Sequence, residues 1–240
     1  DVVNVDSSAT LSANLTNIDA VNLGNNVDIS TTLANNALLA NAAGVNTVTL
    51  NEAGAASGAA AVENYVLADG ANSFTLGAAA QNVTGGTGDD VVHSGALTTV
   101  SGTLALAGGN DKLVIDTTGT DISAATLGAV EAVELANNVS ITSSITNNAL
   151  IDSALGSNTV TLSAAGTASG AAEVENYVLA DGSNTFTLGA SAQNVTGGTG
   201  DDSIKSGALT TISGTLDGVS GNDTLTMEQS ATLSASLNNI

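Results

Sequence analysis

An internal repeat is the feature of this sequence that most constrains its fold. The segment Gly44–Leu50 recurs at residues 156–162 with one substitution, and Val62–Gly70 recurs unchanged at residues 174–182, both at an offset of 112 residues. A chain that repeats itself at a fixed period is expected to stack copies of one structural unit. The repeats are residues 6–115 and 116–227, and a third begins at residues 228–240.

Within each repeat, short stretches alternate between apolar and polar residues, as half-buried β-strands do. Gly, Asn, Asp and Ser separate these stretches and supply turn conformations. The acidic turns at Asp90 and Asp111 are 21 residues apart, as are those at Asp202 and Asp223, which predicts one solenoid coil for roughly every 20 residues. The strands predicted in the first repeat are Ile18–Leu23, Thr47–Leu50, Asn64–Leu67, Ser73–Leu76, Asp90–Val92 and Lys112–Ile115.

The composition favours the same fold. The chain has no proline, which would remove a donor from a β-ladder. Thr31–Ala43 and Ala53–Val62 are rich in alanine and can each form a helical turn or two, although Gly54 and Gly58 interrupt the second segment. We therefore predict an all-β fold, a right-handed parallel β-solenoid that runs through residues 1–240 as one domain, with short helical turns at most.

The charge and the hydropathy exclude two classes of partner. The net charge is −21, from 23 acidic residues and two lysines with no arginine, so no basic face is available to nucleic acid or to anionic lipid. No apolar run approaches the roughly 20 residues that span a bilayer, and membrane insertion is not expected. The charge serves solubility, or bound cations neutralise part of it.

One motif in each repeat resembles a known calcium-binding sequence. Gly85–Val92 and Gly197–Ile204 both fit the pattern Gly-Gly-x-Gly-x-Asp-x-U of RTX proteins, in which U is a large aliphatic residue. The wider sequence is similar to RTX-bearing surface-layer proteins and large adhesins of bacteria, being rich in Thr, Ala, Asn and Gly and free of Cys. The resemblance implies Ca²⁺ bound between stacked turns by Gly86, Gly88 and Asp90, and by Gly198, Gly200 and Asp202.

A weaker motif follows each of these. Gly109–Leu113 and Gly221–Leu225 look like incomplete RTX halves, whereas RTX proteins repeat the whole motif in tandem. Stacking of neighbouring coils would let two carboxylates share one Ca²⁺ in each repeat, in the pairs Asp90–Asp111 and Asp202–Asp223. The alternative for these acidic residues is an Asx-turn, in which the carboxylate accepts hydrogen bonds from backbone N–H groups.

Catalysis is hard to assemble from this sequence. His93 is the only histidine, and Lys205 takes its place in the second repeat, so His93 is interpreted as a surface residue. A lyase or epimerase acting on acidic sugars needs a cluster of basic residues, which this sequence lacks. Paired acidic residues could in principle act as a glycosidase, but the acidic residues here lie in turns whose calcium or Asx-turn interpretation is simpler. The aromatic residues are expected in the core: Tyr65, Phe74, Tyr177 and Phe186.

These observations predict a structural protein and not an enzyme. The resemblance implies a secreted protein of the bacterial cell surface, a self-assembling layer or filament subunit that is stiffened by Ca²⁺ and forms a homopolymer through the solenoid ends. The first alternative is the stalk or a ligand-binding segment of a large RTX adhesin, with cell-surface polysaccharide as its candidate partner. A carbohydrate-active enzyme is the less favoured alternative.

Overall fold

Parallel β-strands account for nearly all of the regular structure. The computed structural model describes residues 1–240 and shows a β-solenoid of about 12 turns with about 19 residues per turn. The prediction of an all-β parallel solenoid is therefore confirmed. In chain order the elements are β1 (Val2–Val5), β2 (Ala9–Leu11), β3 (Ala20–Asn25), β4 (Ile29–Thr31), α1 (Leu33–Asn36), β5 (Leu39–Ala43), β6 (Thr47–Leu50), β7 (Ala55–Ser57), β8 (Asn64–Val66), β9 (Ser73–Thr75), β10 (Asn82–Thr84), β11 (Val91–His93), β12 (Thr103–Ala105), β13 (Lys112–Ile115), β14 (Thr120–Asp121), β15 (Thr126–Gly128), β16 (Ala132–Leu135), β17 (Ser140–Ser143), α2 (Ile145–Asn148), β18 (Ile151–Ala154), β19 (Thr159–Leu162), β20 (Thr167–Ser169), β21 (Asn176–Val178), β22 (Thr185–Thr187), β23 (Asn194–Thr196), β24 (Ser203–Lys205), β25 (Thr211–Ile212), β26 (Thr215–Asp217), β27 (Thr224–Thr226), β28 (Thr232–Leu233) and β29 (Ser236–Asn238).

The chain divides into two compact units near the end of the first repeat. Unit 1 comprises residues 1–116 and 124–132, and unit 2 comprises residues 117–123 and 133–240. In unit 1 the strands are ordered β1-β3-β5, β2-β4-β6-β8-β10-β12-β15 and β7-β9-β11-β13. In unit 2 they are ordered β14-β17-β19-β21-β23-β26-β29, β20-β22-β24-β27, β16-β18 and β25-β28.

Each strand pairs in parallel with the strand one coil further along the chain. The spacing varies from 17 residues, where Thr47 lies opposite Asn64, to 23 residues, where Thr103 lies opposite Thr126. The turns absorb most of this variation, because the strands stay in register except for shifts within the β3–β5 and β16–β18 pairs. A shift of one residue would instead turn the whole apolar set outward.

The core is made of columns of side chains that stack from coil to coil. Val48, Tyr65, Val83 and Leu104 occupy paired positions of successive strands in unit 1, and each is at most 1% exposed. The neighbours of Val48 in β6 are threonines that are half-buried, so buried and less buried positions alternate along the strand. The two-residue period that predicted these strands therefore corresponds to one face of a sheet lining a narrow interior.

The four aromatic side chains fill the interior, as the sequence predicts. Tyr65 and Phe74 pack with their ring centres 4.8 Å apart, and the pair Tyr177 and Phe186 repeats this distance in unit 2. Each tyrosine oxygen accepts a hydrogen bond of 2.8 Å from a backbone N–H six residues earlier. Burial raises the pKa of both tyrosines to about 12, and this hydrogen bond only partly opposes the shift.

The alanine-rich segments have different outcomes. Thr31–Ala43 contains the single helical turn α1, which begins after Thr32, whose side chain accepts a hydrogen bond from the Asn35 N–H. Ser144 caps α2 in the same way. The prediction of a helical turn in Ala53–Val62 is wrong, because residues 55–57 form strand β7, whose pairing with the next coil outweighs the helical propensity of alanine.

We expect neither tyrosine to ionise near the ordinary pKa of about 10. Because the folded pKa is raised, the contribution of these tyrosines to stability is complete below pH 10 and is lost as the pH rises toward 12. The chain has two tyrosines and no tryptophan, so ultraviolet absorbance of phenolate reports these residues alone. Ionisation should coincide with loss of the β circular dichroism signal, and a midpoint near pH 10 in the folded state would contradict it.

Candidate functional site

A column of polar side chains runs inside unit 1 beside the predicted calcium motif. The Asp90 Oδ1 atom accepts hydrogen bonds from the Asn72 backbone N–H (3.0 Å) and side-chain amide (2.8 Å). One coil later, Asp111 Oδ1 accepts from the Asp90 N–H at 2.7 Å, and Glu131 Oε2 accepts from the Asp111 N–H at 2.7 Å. Each carboxylate therefore caps the backbone of the preceding coil, and we call this column the polar ladder.

Unit 2 contains the same ladder at equivalent positions. Asp202 Oδ1 accepts from the Asn184 N–H at 2.8 Å, and Asp223 Oδ1 accepts from the Asp202 N–H at 2.7 Å. The structure thus brings each predicted acidic pair onto neighbouring coils. The carboxylates do accept backbone N–H bonds, as in the Asx-turn alternative, but the donors to their Oδ1 atoms lie on the preceding coil and not in the same turn.

The second oxygen of most ladder carboxylates has no hydrogen-bond partner. The Oδ2 atoms of Asp90, Asp111 and Asp223 are buried and unpaired, whereas Asp202 Oδ2 accepts a long bond of 3.3 Å from the Gly198 N–H. Asp90 and Asp111 are at most 1% exposed as whole residues. A buried carboxylate oxygen without a donor is strongly unfavourable, so these atoms call for a proton or a cation.

The glycines of the motif are required by the close stacking of coils. A Cβ atom at Gly85 would lie 2.6 Å from Asp90 Oδ2, and one at Gly86 would lie 2.8 Å from the Ala68 carbonyl oxygen. Gly88 has a φ of +124° and faces the backbone of the preceding coil. Gly198 and Gly200 repeat these contacts in unit 2, with φ of +126° at Gly200.

The predicted glycine ligands are already engaged in the backbone ladder. The Gly86 carbonyl accepts from the Gly108 N–H at 3.3 Å, and the Gly88 N–H donates to the Gly108 carbonyl at 2.6 Å. The Gly200 N–H similarly donates to the Ser220 carbonyl at 2.9 Å. A carbonyl has a second lone pair, so these bonds leave acceptor capacity, but they show that stacking alone uses the glycine backbone.

Electrostatics inside the ladder disfavours a full set of negative charges. Burial raises the pKa of Asp111 above its ordinary value, and the neighbouring charges of Asp90, Glu131 and Asp89 raise it further, against the lowering effect of the hydrogen bond from the Asp90 N–H. At the exposed turns the pKa of the aspartates is lowered and not raised. Hydrogen bonds from the backbone and hydroxyl of a threonine lower the pKa of Asp69 and of its equivalent Asp181.

The unpaired carboxylate oxygens are suitable cation ligands, but there are too few of them in one place to form a complete site. The residues that would hold a cation are the acids with unpaired oxygens, Asp90, Asp111 and Asp223, because Ca²⁺ prefers oxygen ligands. The structure does not bring three or more His, Cys, Asp or Glu side chains into one metal-binding group. Further ligands would have to be backbone carbonyls or water, and the predicted Gly86, Gly88, Gly198 and Gly200 remain candidates for that role.

The sequence analysis missed the buried amide side chains, which also hydrogen-bond to backbone groups of neighbouring coils. Asn46 Oδ1 accepts from the Val27 N–H at 2.7 Å, and Gln81 binds three backbone groups inside the same unit. Asn158 and Gln193 repeat these bonds in unit 2. The sequence could have indicated them, because the same amide residue occurs at the equivalent position of both repeats, as expected where a side chain satisfies a buried backbone group.

His93 lies on the outside of unit 1 and pairs with an acid one coil later. Its Nδ1 atom is 3.2 Å from Asp116 Oδ1, and both side chains are about one-third exposed. In unit 2 the equivalent Lys205 has its Nζ atom 3.9 Å from Glu228 Oε1. A histidine and a lysine therefore make the equivalent surface contact with an acid of the next coil, which accounts for their interchange between the repeats.

Comparisons with known proteins assign no family to the chain. No protein-family model matches it, and searches of curated proteins and of solved structures find no match either. None of the helices has the length and apolar character needed to span a membrane.

Replacing Asp111 by Asn should change how stability depends on pH. The raised pKa means that the contribution of Asp111 is complete below the ordinary Asp value of about 3.9 and is lost as pH rises through the raised value. D111N keeps the Oδ1 acceptor without the charge, so in chelator at pH 7 it should unfold at higher denaturant concentration than the original chain.

The same measurement near pH 3 supplies the control, because a protonated Asp111 and an asparagine are both neutral there, and the difference in unfolding free energy should shrink. D111A removes the acceptor for the Asp90 N–H and should be less stable than D111N by about 1–3 kcal/mol. A D111N advantage that is the same at both pH values would contradict the burial of a charge.

Proposed function

We propose that this chain is a structural segment of a secreted bacterial surface protein, a layer or filament subunit whose stacked coils provide stiffness. The observation that supports this most directly is the polar ladder, because the residues that a calcium-binding or catalytic interpretation would use also satisfy the backbone of a neighbouring coil. The pattern recurs in both units. Continuous ladders of this kind resist bending and local unfolding, since each coil is held on both sides.

Bound Ca²⁺ is the second part of the proposal. The Oδ2 atoms of Asp90, Asp111 and Asp223 are buried oxygens without a hydrogen-bond partner, and they supply the negative charge that a cation would neutralise. When bound, Ca²⁺ would neutralise these carboxylates and join neighbouring coils, so that the free energy of binding adds to that of folding. The residues themselves hold the coils in register with or without the ion.

Assembly into a homopolymer through the terminal coils is the third part. Strands β1 and β2 at one end, and β28 and β29 at the other, are the edge strands of their sheets. Edge strands present unpaired backbone groups to another chain. The exposed apolar residues Leu233 and Leu237 lie on these final strands, and would be covered in such a contact.

The alternative that remains is a stalk or ligand-binding segment of a large adhesin. It uses the same stiffness but requires no self-association, and cell-surface polysaccharide is its candidate partner. An enzymatic role has less support, because the one histidine is engaged with Asp116 and the chain has no arginine. Both readings keep the protein outside the cell, at the bacterial surface.

Titration of chelator-treated protein with Ca²⁺ should release heat and raise the melting temperature. Binding at about 100 times Kd would stabilise the folded state by about 2.7 kcal/mol. A variant with the four ladder aspartates changed to asparagine (D90N, D111N, D202N and D223N) keeps the ladder acceptors and should lose the heat and the shift. D152N, which removes one exposed charge outside the ladder, is the matched control.

Calorimetry that detects no heat in the original chain, or equal heat in the fourfold variant, would exclude calcium at the ladder. The stiffness and assembly parts of the proposal would remain, because the Oδ1 hydrogen bonds that join neighbouring coils do not require an ion.

Electron microscopy tests the assembly. In Ca²⁺ we expect filaments or layers of many chains, and in chelator we expect their dissociation, because neutralising part of the −21 charge lowers the repulsion between chains. Replacing Leu233 and Leu237 by serine should reduce assembly while leaving the circular dichroism spectrum unchanged. Single molecules under all cation conditions would reject self-assembly and favour the adhesin stalk.

A further inference from the structure

Two grooves occupy equivalent places in the two repeats, away from the polar ladder. In unit 1 a groove of about 320 Å³ lies between α1 and β7, and in unit 2 a groove of about 430 Å³ lies between α2 and β20. No ionisable residue lines either groove, although the chain as a whole is strongly acidic. The lining includes the equivalent pairs Asn36 and Asn148, Ala37 and Ala149, and Ser57 and Ser169.

The wall of the unit 1 groove is an open sheet edge. β7 is the terminal strand of its sheet and bonds only to β9. The Gly54 carbonyl and the Gly58 N–H bond to β9, at 3.0 and 2.8 Å. Because successive peptide groups of a strand point to opposite edges, those of Ala55 and Ser57 point away from β9, toward the groove.

The unit 2 groove has the same construction. β20 is the terminal strand beside β22, and the Gly166 carbonyl and Gly170 N–H make the bonds to β22, both at 2.9 Å. The peptide groups of Thr167 and Ser169 therefore point toward the groove. The edge exists in both units because a capped helical turn replaces the strand of the preceding coil.

A buried asparagine satisfies one group of each edge and leaves another atom unpaired. The Asn36 side-chain amide donates to the Ser57 carbonyl at 2.9 Å, and Asn148 donates to the Ser169 carbonyl at 2.9 Å. Both asparagines are at most 3% exposed, and their Oδ1 atoms are buried without a donor. Each groove therefore combines free peptide groups with an amide oxygen that needs a hydrogen-bond donor.

We propose that each groove binds an extended peptide segment of another protein by β-strand addition. A peptide backbone offers donors and acceptors at the spacing of a sheet edge, so it can bond to the N–H and C=O groups of Ala55 and to the N–H of Ser57, whereas the Ser57 carbonyl already accepts from Asn36. The walls are uncharged, and apart from Leu33, Ile145 and Ile151 they consist of small or medium-sized side chains, which fits a peptide with small neutral side chains. An acidic segment is excluded by the net charge of −21.

This proposal is independent of calcium and of assembly through the terminal coils, because both grooves lie within the units. It gives the chain two equivalent docking points, one in each repeat. Two points on a stiff support would raise the avidity for a partner that carries more than one such segment.

The test uses a capped, uncharged hexapeptide of alternating threonine and valine as the probe. Calorimetry should give two peptides bound per chain. At about ten times Kd, backbone amide exchange at Ser57 and Ser169 measured by NMR should slow roughly tenfold, because only the free fraction exchanges. The same peptide with its alternate backbone nitrogens methylated cannot donate and should not bind.

Matched variants locate the sites. Ala37 and Ala149 are exposed and line the grooves, so A37L should remove one binding equivalent and the A37L/A149L pair should remove both. Ala34 is exposed on the same helical turn but does not line the groove, and A34L should bind two peptides.

Three results would overturn the proposal. They are the absence of any peptide binding, equal binding of the methylated peptide, and full binding in the A37L/A149L variant. Slowed exchange of the same amides by a neutral oligosaccharide, with no effect of the peptide, would assign the grooves to carbohydrate and reject strand addition.

Discussion

Hydrogen bonds between neighbouring coils are the interaction on which this structure depends. A strand of three or four residues has little stability alone, but the strands here pair from coil to coil, and polar side chains of the next coil cap several of the turns. Asp90, Asp111 and Glu131 show the principle, since each caps the residue at the same position one coil earlier. Removing one cap leaves a buried N–H without a partner.

Close stacking explains residues that would otherwise suggest a binding site. Gly85 and Gly86 have no side chain because the neighbouring coil occupies that space, and Asp90 fills the space beside Gly85. The same packing buries several carboxylates in one column, which raises the pKa of Asp111. A cation would relieve this repulsion, so the stacking of coils both creates the need for a counter-charge and places the oxygens that could meet it.

The pairing of strands from coil to coil is interrupted at equivalent positions of the two units. Thr32 and Ser144 cap single helical turns that replace one strand in each unit, and each turn exposes the edge of the next strand. Asn36 and Asn148 hold these edges partly closed. A repeat protein can therefore present open strand edges at fixed intervals without altering the coils between them.

The sequence by itself determined the fold class, the repeat, six strands of the first repeat to within a few residues and the aromatic core, because a two-residue alternation and a 112-residue period are visible in the residue order. It also identified Asp90 and Asp111 as partners on neighbouring coils. Only the tertiary structure decided the role of each oxygen and showed that Ala55–Ser57 is an edge strand. The physical reason is that these properties depend on the coil lying beside a residue, and turns of variable length hide that neighbour from the linear sequence.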